Sequence, residues 1–227
     1  MRRFFDKMMP RYSRIPLLMV FIVNILVYYF SRLININLEH HSLEILVDRA
    51  IPFLPEFIVI YVLAYVQWFV GYIVISRESR ELCYKYMSAE IVAKLICFLF
   101  YIIYPTAILR PEIAGGGFFN WLTSLIFASD PANNLFPSVH CLASYICFRG
   151  AISLKKVGLS YKLGNLIFAI LVFLSTVFVK QHFFVDIFGG ILAVEAGILL
   201  VRLFKIDRIF IKINQTASKI RGGNYYE

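Results

Sequence analysis

Residues 16–35 read PLLMVFIVNILVYYFSRLIN, a continuous apolar run in which Arg32 is the only charge. A helix needs about 20 such residues to cross the hydrocarbon layer of a bilayer. The basic stretch before it (Arg2, Arg3, Lys7, Arg11, Arg14) resembles the start of a signal peptide. The run is too long for a signal core, however, and no small-residue cleavage site follows, so it is expected to stay in the protein. Working outward, five more apolar runs bounded by charge, Pro or Gly lie at 53–75, 88–108, 138–154, 161–179 and 183–204, the one at 138–154 being the shortest. The expected fold is an all-α integral membrane protein, a six-transmembrane-helix bundle forming one domain over residues 1–227, with 205–227 as a basic cytoplasmic tail. No internal repeat and no Ser/Pro-rich linker divides the chain.

Composition points the same way. Sixty per cent of the residues are apolar, 16% are charged and the mean hydropathy is +0.73, values that exclude an ordinary soluble domain. Cys83, Cys97, Cys141 and Cys147 show neither metal-ligand spacing nor a secreted disulfide framework and read as reduced and structural. The net charge of +9 is then a matter of topology rather than of nucleic-acid binding, and no nucleic-acid partner is expected.

Cytoplasmic loops retain Lys and Arg, so the connections can be sorted by side. The N-terminal stretch, Arg77, Arg80, Lys85, Arg149, Lys155, Lys156, Lys162 and the C-terminal Arg202, Lys205, Arg208, Lys212, Lys219 and Arg221 fall on one side. Arg32, Arg49, Arg110 and Lys180 fall on the other, a ratio of 18 to 4 that places both termini in the cytoplasm. Asn214-Gln215-Thr216 fits a glycosylation sequon but falls on the cytoplasmic side and is expected to stay unmodified. A compact chain of this topology suits a bacterial plasma membrane.

This topology puts His40, His41, His140 and His182 on the outer side together with Arg110 and Lys180. Three helix ends there carry chemistry. Pro137-Ser138-Val139-His140 opens a helix, where Pro suits the first turn and Ser138 with the free backbone N–H groups forms an anion cradle aided by the helix dipole. His182 and Asp186 are four apart and share a face, so the carboxylate can hold one ring nitrogen and leave the other as a nucleophile. Arg110 can grip phosphate oxygens with its planar fork, and Lys180 adds a point charge close to His182. His140 is placed to donate a proton to a leaving oxygen. Each piece alone is common in structural roles; the three together on one membrane face point to a phosphate-handling site.

These residues resemble the type 2 phosphatidic acid phosphatase superfamily of membrane lipid phosphatases, whose relatives include lipid phosphotransferases that make sphingomyelin or inositolphosphoceramide. The resemblance covers roughly residues 88–200 and rests on three motifs. Lys-x6-Arg-Pro is matched by Arg110-Pro111, with Ile103 at the Lys position. Pro-Ser-Gly-His is matched by FPSVH, with Val139 for Gly. Ser-Arg-x5-His-x3-Asp is matched by STVFVKQHFFVD, with Ser175 kept, Thr176 in place of Arg and Lys180 nearer to His182. SDPANNLFPSVH and KQHFFVDIFGG look more like the branch that also contains the phosphotransferases.

The resemblance implies His182 as nucleophile, His140 as general acid, Asp186 as orienting carboxylate, and Arg110, Ser138, Val139 and Lys180 as the phosphate-binding set. It implies dephosphorylation of a lipid phosphate or polyprenyl diphosphate on the outer face, through a phosphohistidine, without metal or other cofactor. The alternatives are head-group transfer on the same chemistry and a non-enzymatic transporter or scaffold.

Supporting features are also expected. The loop RPEIAGGGFFNWLTSLIFASDPANNLF reads as a mobile, interfacial element for lipid access, or as an ordinary aromatic connector. Asp130 either positions the cradle loop or starts a turn. His40 and His41 read as solvated residues of an acidic loop with Glu39, Glu44 and Asp48. Helix rise sets Glu195, Lys94 and Arg149 at similar depth, so Glu195 is expected to pair with one of those cations. Gly189-Gly190 read as a site of close helix contact.

Overall fold

The computed structural model describes residues 8–220. Arg2, Arg3, Lys7 and Arg221 of the charge count, and the last residues of the basic tail, lie outside the described residues. The helices are α1 (Arg14–Asn35), α2 (Leu46–Ala50), α3 (Ile58–Glu78), α4 (Arg80–Ile103), α5 (Phe118–Ser129), α6 (Val139–Ser153), α7 (Leu159–Phe178), α8 (Phe184–Phe204) and α9 (Arg208–Ile220). Among the described residues there is no strand; isolated bridges pair His41 with Thr106 and Ala107 with Asn133.

Among the described residues, five segments are long and apolar enough to cross a membrane: Arg11–Asn35, Pro55–Glu78, Arg80–Ile103, Leu159–Phe178 and Phe184–Phe204. The remaining expected span, 138–154, is the 15-residue α6, which at 1.5 Å per residue is only about 22 Å long. Its surroundings account for its character. Helix α6 packs against α3, α4, α7 and α8, so it meets protein rather than acyl chains on most sides. It therefore carries small and weakly polar side chains such as Ser144, Cys141 and Cys147, all buried. The lipid-type surface lies on the outer helices, where Phe21, Phe69, Ile167 and Leu192 are more than half exposed.

Helix α4 runs from Arg80 to Ile103 rather than over 88–108. It starts early because Ser79 Oγ accepts the Leu82 N–H at 3.2 Å and the charged first turn lies at the end of the bundle. It stops early because Pro105 disfavours helical backbone at Tyr104, which adopts φ −140°.

Helix α8 reaches its neighbours through glycine. A Cβ on Gly190 would lie 2.7 Å from Ser138 O and 3.0 Å from Leu142 N; on Gly197 it would lie 2.5 Å from Ala89 O. The close contact expected at Gly189-Gly190 is thus with the start of α6. Of the two partners expected for Glu195, the structure selects Arg149, with Nε 2.5 Å from Oε1. Lys94 instead pairs with Glu90 one turn away, 2.8 Å apart and buried.

The two sets of connections collect at opposite ends. At one, Glu78 accepts the backbone N–H groups of Lys155 and Lys156 at 3.1 and 3.4 Å, and Tyr12 OH donates to Ser76 O. Helix α9 docks there through Phe210, whose ring lies 5.7 Å from that of Tyr84, and through Asn214, whose Nδ2 donates to Tyr12 O at 3.4 Å. At the other end, His41 N–H donates to Pro105 O, and the loops before α6 and α8 converge.

Candidate active site

The turn between α7 and α8 builds the first half of the site. Lys180 takes a left-handed backbone conformation (φ 52°), and the N–H groups of Gln181 and His182 both return to Thr176 O at 2.9 and 3.0 Å. This reversal sets His182 just before α8. Asp186 sits in the first turn of α8, where its Oδ2 accepts the Phe183 N–H at 2.9 Å and lies 3.1 Å from His182 Nδ1. A carboxylate at a helix N-terminus is favoured by the exposed N–H groups, so one side chain both caps the helix and holds the ring. With Nδ1 taken, His182 Nε2 makes no hydrogen bond to any described residue.

The second half comes from the start of α6. Ser138 is fully buried; its Oγ accepts the Cys141 N–H at 3.3 Å and its own N–H donates to Asp186 O at 3.2 Å. The two helix starts are therefore tied to each other directly. Tyr101 OH fixes the preceding residue by donating to Pro137 O at 2.7 Å. The helical ladder begins with Leu142 N–H to Ser138 O at 3.0 Å, leaving the first-turn N–H groups of α6 ahead of it. His140 stacks on Tyr61 at 4.1 Å and is bordered by Tyr65 and Trp68. Its ring centroid is 6.2 Å from that of His182, and its buried Nε2 has no hydrogen-bond partner among the described residues.

Both histidines line a cavity of about 270 Å³ that is also walled by Val139, Gln181, Arg32, Asp130 and aromatic side chains. Arg32 Nη2 is 2.8 Å from Asp130 Oδ1, and Tyr28 OH donates to the same oxygen at 3.0 Å. Arg110 lies behind this wall. Its Nη1 donates to Asp130 O at 2.6 Å and its Nη2 to Gln181 Oε1, and its guanidinium covers the Phe127 ring at 4.5 Å. Burial pulls the Arg110 pKa down, opposed mainly by Asp130.

Of the residues singled out from sequence, His140, His182, Asp186, Ser138 and Val139 come together, and Arg110 joins them through Gln181. Lys180 does not face the cavity. Its Nζ donates to Asp48 O at 3.0 Å and Ile51 O at 2.6 Å, and burial lowers its pKa against the pull of Asp48 and Glu44. His40 and His41 are also apart from the cavity; the His41 ring stacks on Tyr104 at 4.4 Å. Among the described residues, no group of three or more His, Cys, Asp or Glu side chains is arranged to hold a metal ion.

Three contributors escaped the sequence reading. Asp48, one of the acidic residues beside His40 and His41, is 8% exposed and accepts the Phe184 N–H at 2.7 Å, so α2 clamps the start of α8. Arg32 and the aromatic bracket of Tyr61, Tyr65 and Trp68 belong to α1 and α3, which carry no local motif. The available signal for Arg32 is its rarity, since it is one of only four cations that the charge pattern assigns to its set of connections.

No known protein family, characterised protein or solved structure matches this chain.

Proposed function

We propose that the protein is a membrane phosphatase that removes phosphate from a lipid phosphate or polyprenyl diphosphate through a phosphohistidine, without a metal or other cofactor. The observation that carries this reading is the His182–Asp186 pair facing His140 across one cavity. Held at Nδ1 by Asp186, His182 presents the Nε2 lone pair to phosphorus. As the N–P bond forms and the P–O bond to the lipid breaks, His140 delivers a proton to the departing oxygen. Water then attacks phosphorus from the side that the lipid oxygen vacated and gives a proton back to His140, the N–P bond breaks with its electron pair returning to His182 Nε2, and free phosphate leaves. The α6 N-terminus and the Arg32 guanidinium in the cavity wall stabilise the charge on the phosphoryl oxygens.

In this reading α6 is the fourth of six spans, short because it is surrounded by protein, and both termini are cytoplasmic. The cavity then opens toward the extracytoplasmic face of a bacterial plasma membrane, beside the substrate lipid. The basic α9 lies at the opposite, cytoplasmic surface, where anionic lipids attract Lys and Arg.

A second reading is transfer of a phosphate-bearing head group to an alcohol. It is favoured by the balance of charge on the cavity wall, one Arg32 against one Asp130, which suits a singly charged phosphodiester.

The deciding experiment is release of inorganic phosphate by the purified protein in detergent with chelator present. Phosphatidic acid, phosphatidylglycerophosphate and undecaprenyl diphosphate serve as substrates, with His182→Ala in parallel. Release that is lost in His182→Ala supports the hydrolase. A folded wild type that releases nothing sinks it, and supply of an acceptor lipid then tests head-group transfer.

A further inference from the structure

Arg32 is the one Lys or Arg side chain among the described residues that line the cavity. It projects from α1, outside the stretch on which the family resemblance rests. Its position is fixed on three sides: Nη2 on Asp130 Oδ1 at 2.8 Å, Nε on Asn133 Oδ1 at 3.1 Å, and its guanidinium carbon 3.6 Å from the Tyr28 ring centroid. Its side chain is only 17% exposed. The third nitrogen, Nη1, makes no hydrogen bond to a described residue, which leaves it open to a ligand.

Every other cation that sequence offered for phosphate is engaged elsewhere or missing. Lys180 is bound to the carbonyls of Asp48 and Ile51, and Arg110 to those of Asp130 and Phe127 and to Gln181. The position at which the family pattern has Arg holds Thr176, buried and bonded through Oγ1 to Phe173 O at 2.7 Å. Ile103 stands at the pattern's Lys position and is 77% exposed. A phosphate beside His182 therefore meets one guanidinium in the cavity wall.

We propose that Arg32 is the phosphate-binding cation of this cavity, gripping the phosphoryl oxygens through its free Nη1 while Asn133 and Tyr28 hold the group in place. This rests on the reading that the cavity receives a phosphate. A guanidinium pre-set in this way offers the N–H groups of Nη1 to a phosphoryl oxygen at little entropic cost. Asp130 competes for the same group, so it restrains Arg32 when the cavity is empty and weakens phosphate binding.

Equilibrium binding of radiolabelled inorganic phosphate to the full-length protein in detergent tests the assignment independently of turnover. Arg32→Gln is expected to weaken phosphate binding at least tenfold, Arg32→Lys less, and Asp130→Asn to tighten it. His182→Ala is expected to bind phosphate while losing hydrolysis. A merely structural Arg32–Asp130 bridge gives the opposite pattern, with Asp130→Asn weakened as much as Arg32→Gln. That result overturns the proposal, as does unchanged binding in Arg32→Gln or no binding by the wild type. Arg32→Lys keeps the cation and so covers the case in which Arg32→Gln fails to fold. Should the wild type bind phosphate through Arg32 yet release none from any lipid, the phosphatase reading fails and the Arg32 assignment stands.

Discussion

Arg149 on α6 grips Glu195 on α8 at two points, Nε to Oε1 at 2.5 Å and Nη2 to Oε2 at 3.3 Å, and Tyr145 OH donates to Oε1 at 2.8 Å. The pair fastens the central helix to the helix that carries Asp186, well away from the cavity. Glu195→Gln keeps the shape and loses the charge, and is expected to lower stability by about 1–2 kcal/mol. Arg149→Met should cost more, because it leaves the carboxylate without its counter-charge and with Tyr145 as its remaining partner. Thermal unfolding in detergent reads both; an unchanged midpoint in each would show that the pair does not hold the helices together.

Asp186 serves two structural ends, the Phe183 N–H and the His182 ring. Asp186→Asn retains an oxygen for the N–H but no longer favours the tautomer that leaves Nε2 free. The expected result is a fall in kcat of about 10²- to 10⁴-fold with little change in KM. A drop in KM affinity with kcat intact would place Asp186 in substrate binding instead.

Five of the six apolar runs were legible because lipid demands long uninterrupted stretches, and their bounds differ at ends that cap chemistry decides, as at Ser79 and Pro105; the run at 138–154 is a shorter helix that is not among the five. The His182–Asp186 pair and the Ser138 cap were legible because each is a local relation along one helix or one turn. Arg32 with Asp130, and Asp48 with Phe184, were not, since these partners are 98 and 136 residues apart and only the packing of α1 and α2 against the loops brings them together. Lys180 misled for the complementary reason. Closeness to His182 in sequence suggested a shared site, but the left-handed turn sends its side chain to the opposite side of the chain.

Gly190 and Gly197 make the same kind of contact at different distances from the chemistry. Gly190→Ala would drive a methyl into Ser138 O and Leu142 N, and Gly197→Ala into Ala89 O, all backbone atoms that cannot swing aside. Each substitution is expected to cost about 1–3 kcal/mol through forced backbone shifts. Only Gly190→Ala displaces the start of α6, so at a temperature where both variants are folded it should lose most of its phosphate release while Gly197→Ala retains it. Equal loss in both would mean that the site senses general loosening of the bundle rather than the α6 contact.

Lys180 and Asp48 hold the α7–α8 turn from outside, and their variants separate support from ligation. Lys180→Met removes the bonds to Asp48 O and Ile51 O, and is expected to lower stability by about 1–2 kcal/mol, discounted for the partial exposure of the ammonium. Phosphate affinity should stay as in the wild type, because Nζ points away from the cavity. Asp48→Ala strips the acceptor from the Phe184 and Ile45 N–H groups, with bonds of 2.7 and 2.9 Å. Unsatisfied donors at a partly buried helix start should cost about 2–3 kcal/mol. The loosened turn carries His182 with it, so kcat should fall as well. Thermal unfolding and phosphate binding on the same preparations check both variants. If Lys180→Met were to weaken phosphate binding tenfold with no change in unfolding temperature, Lys180 would have to swing into the cavity when substrate binds, and the turn would be a moving part rather than a fixed support.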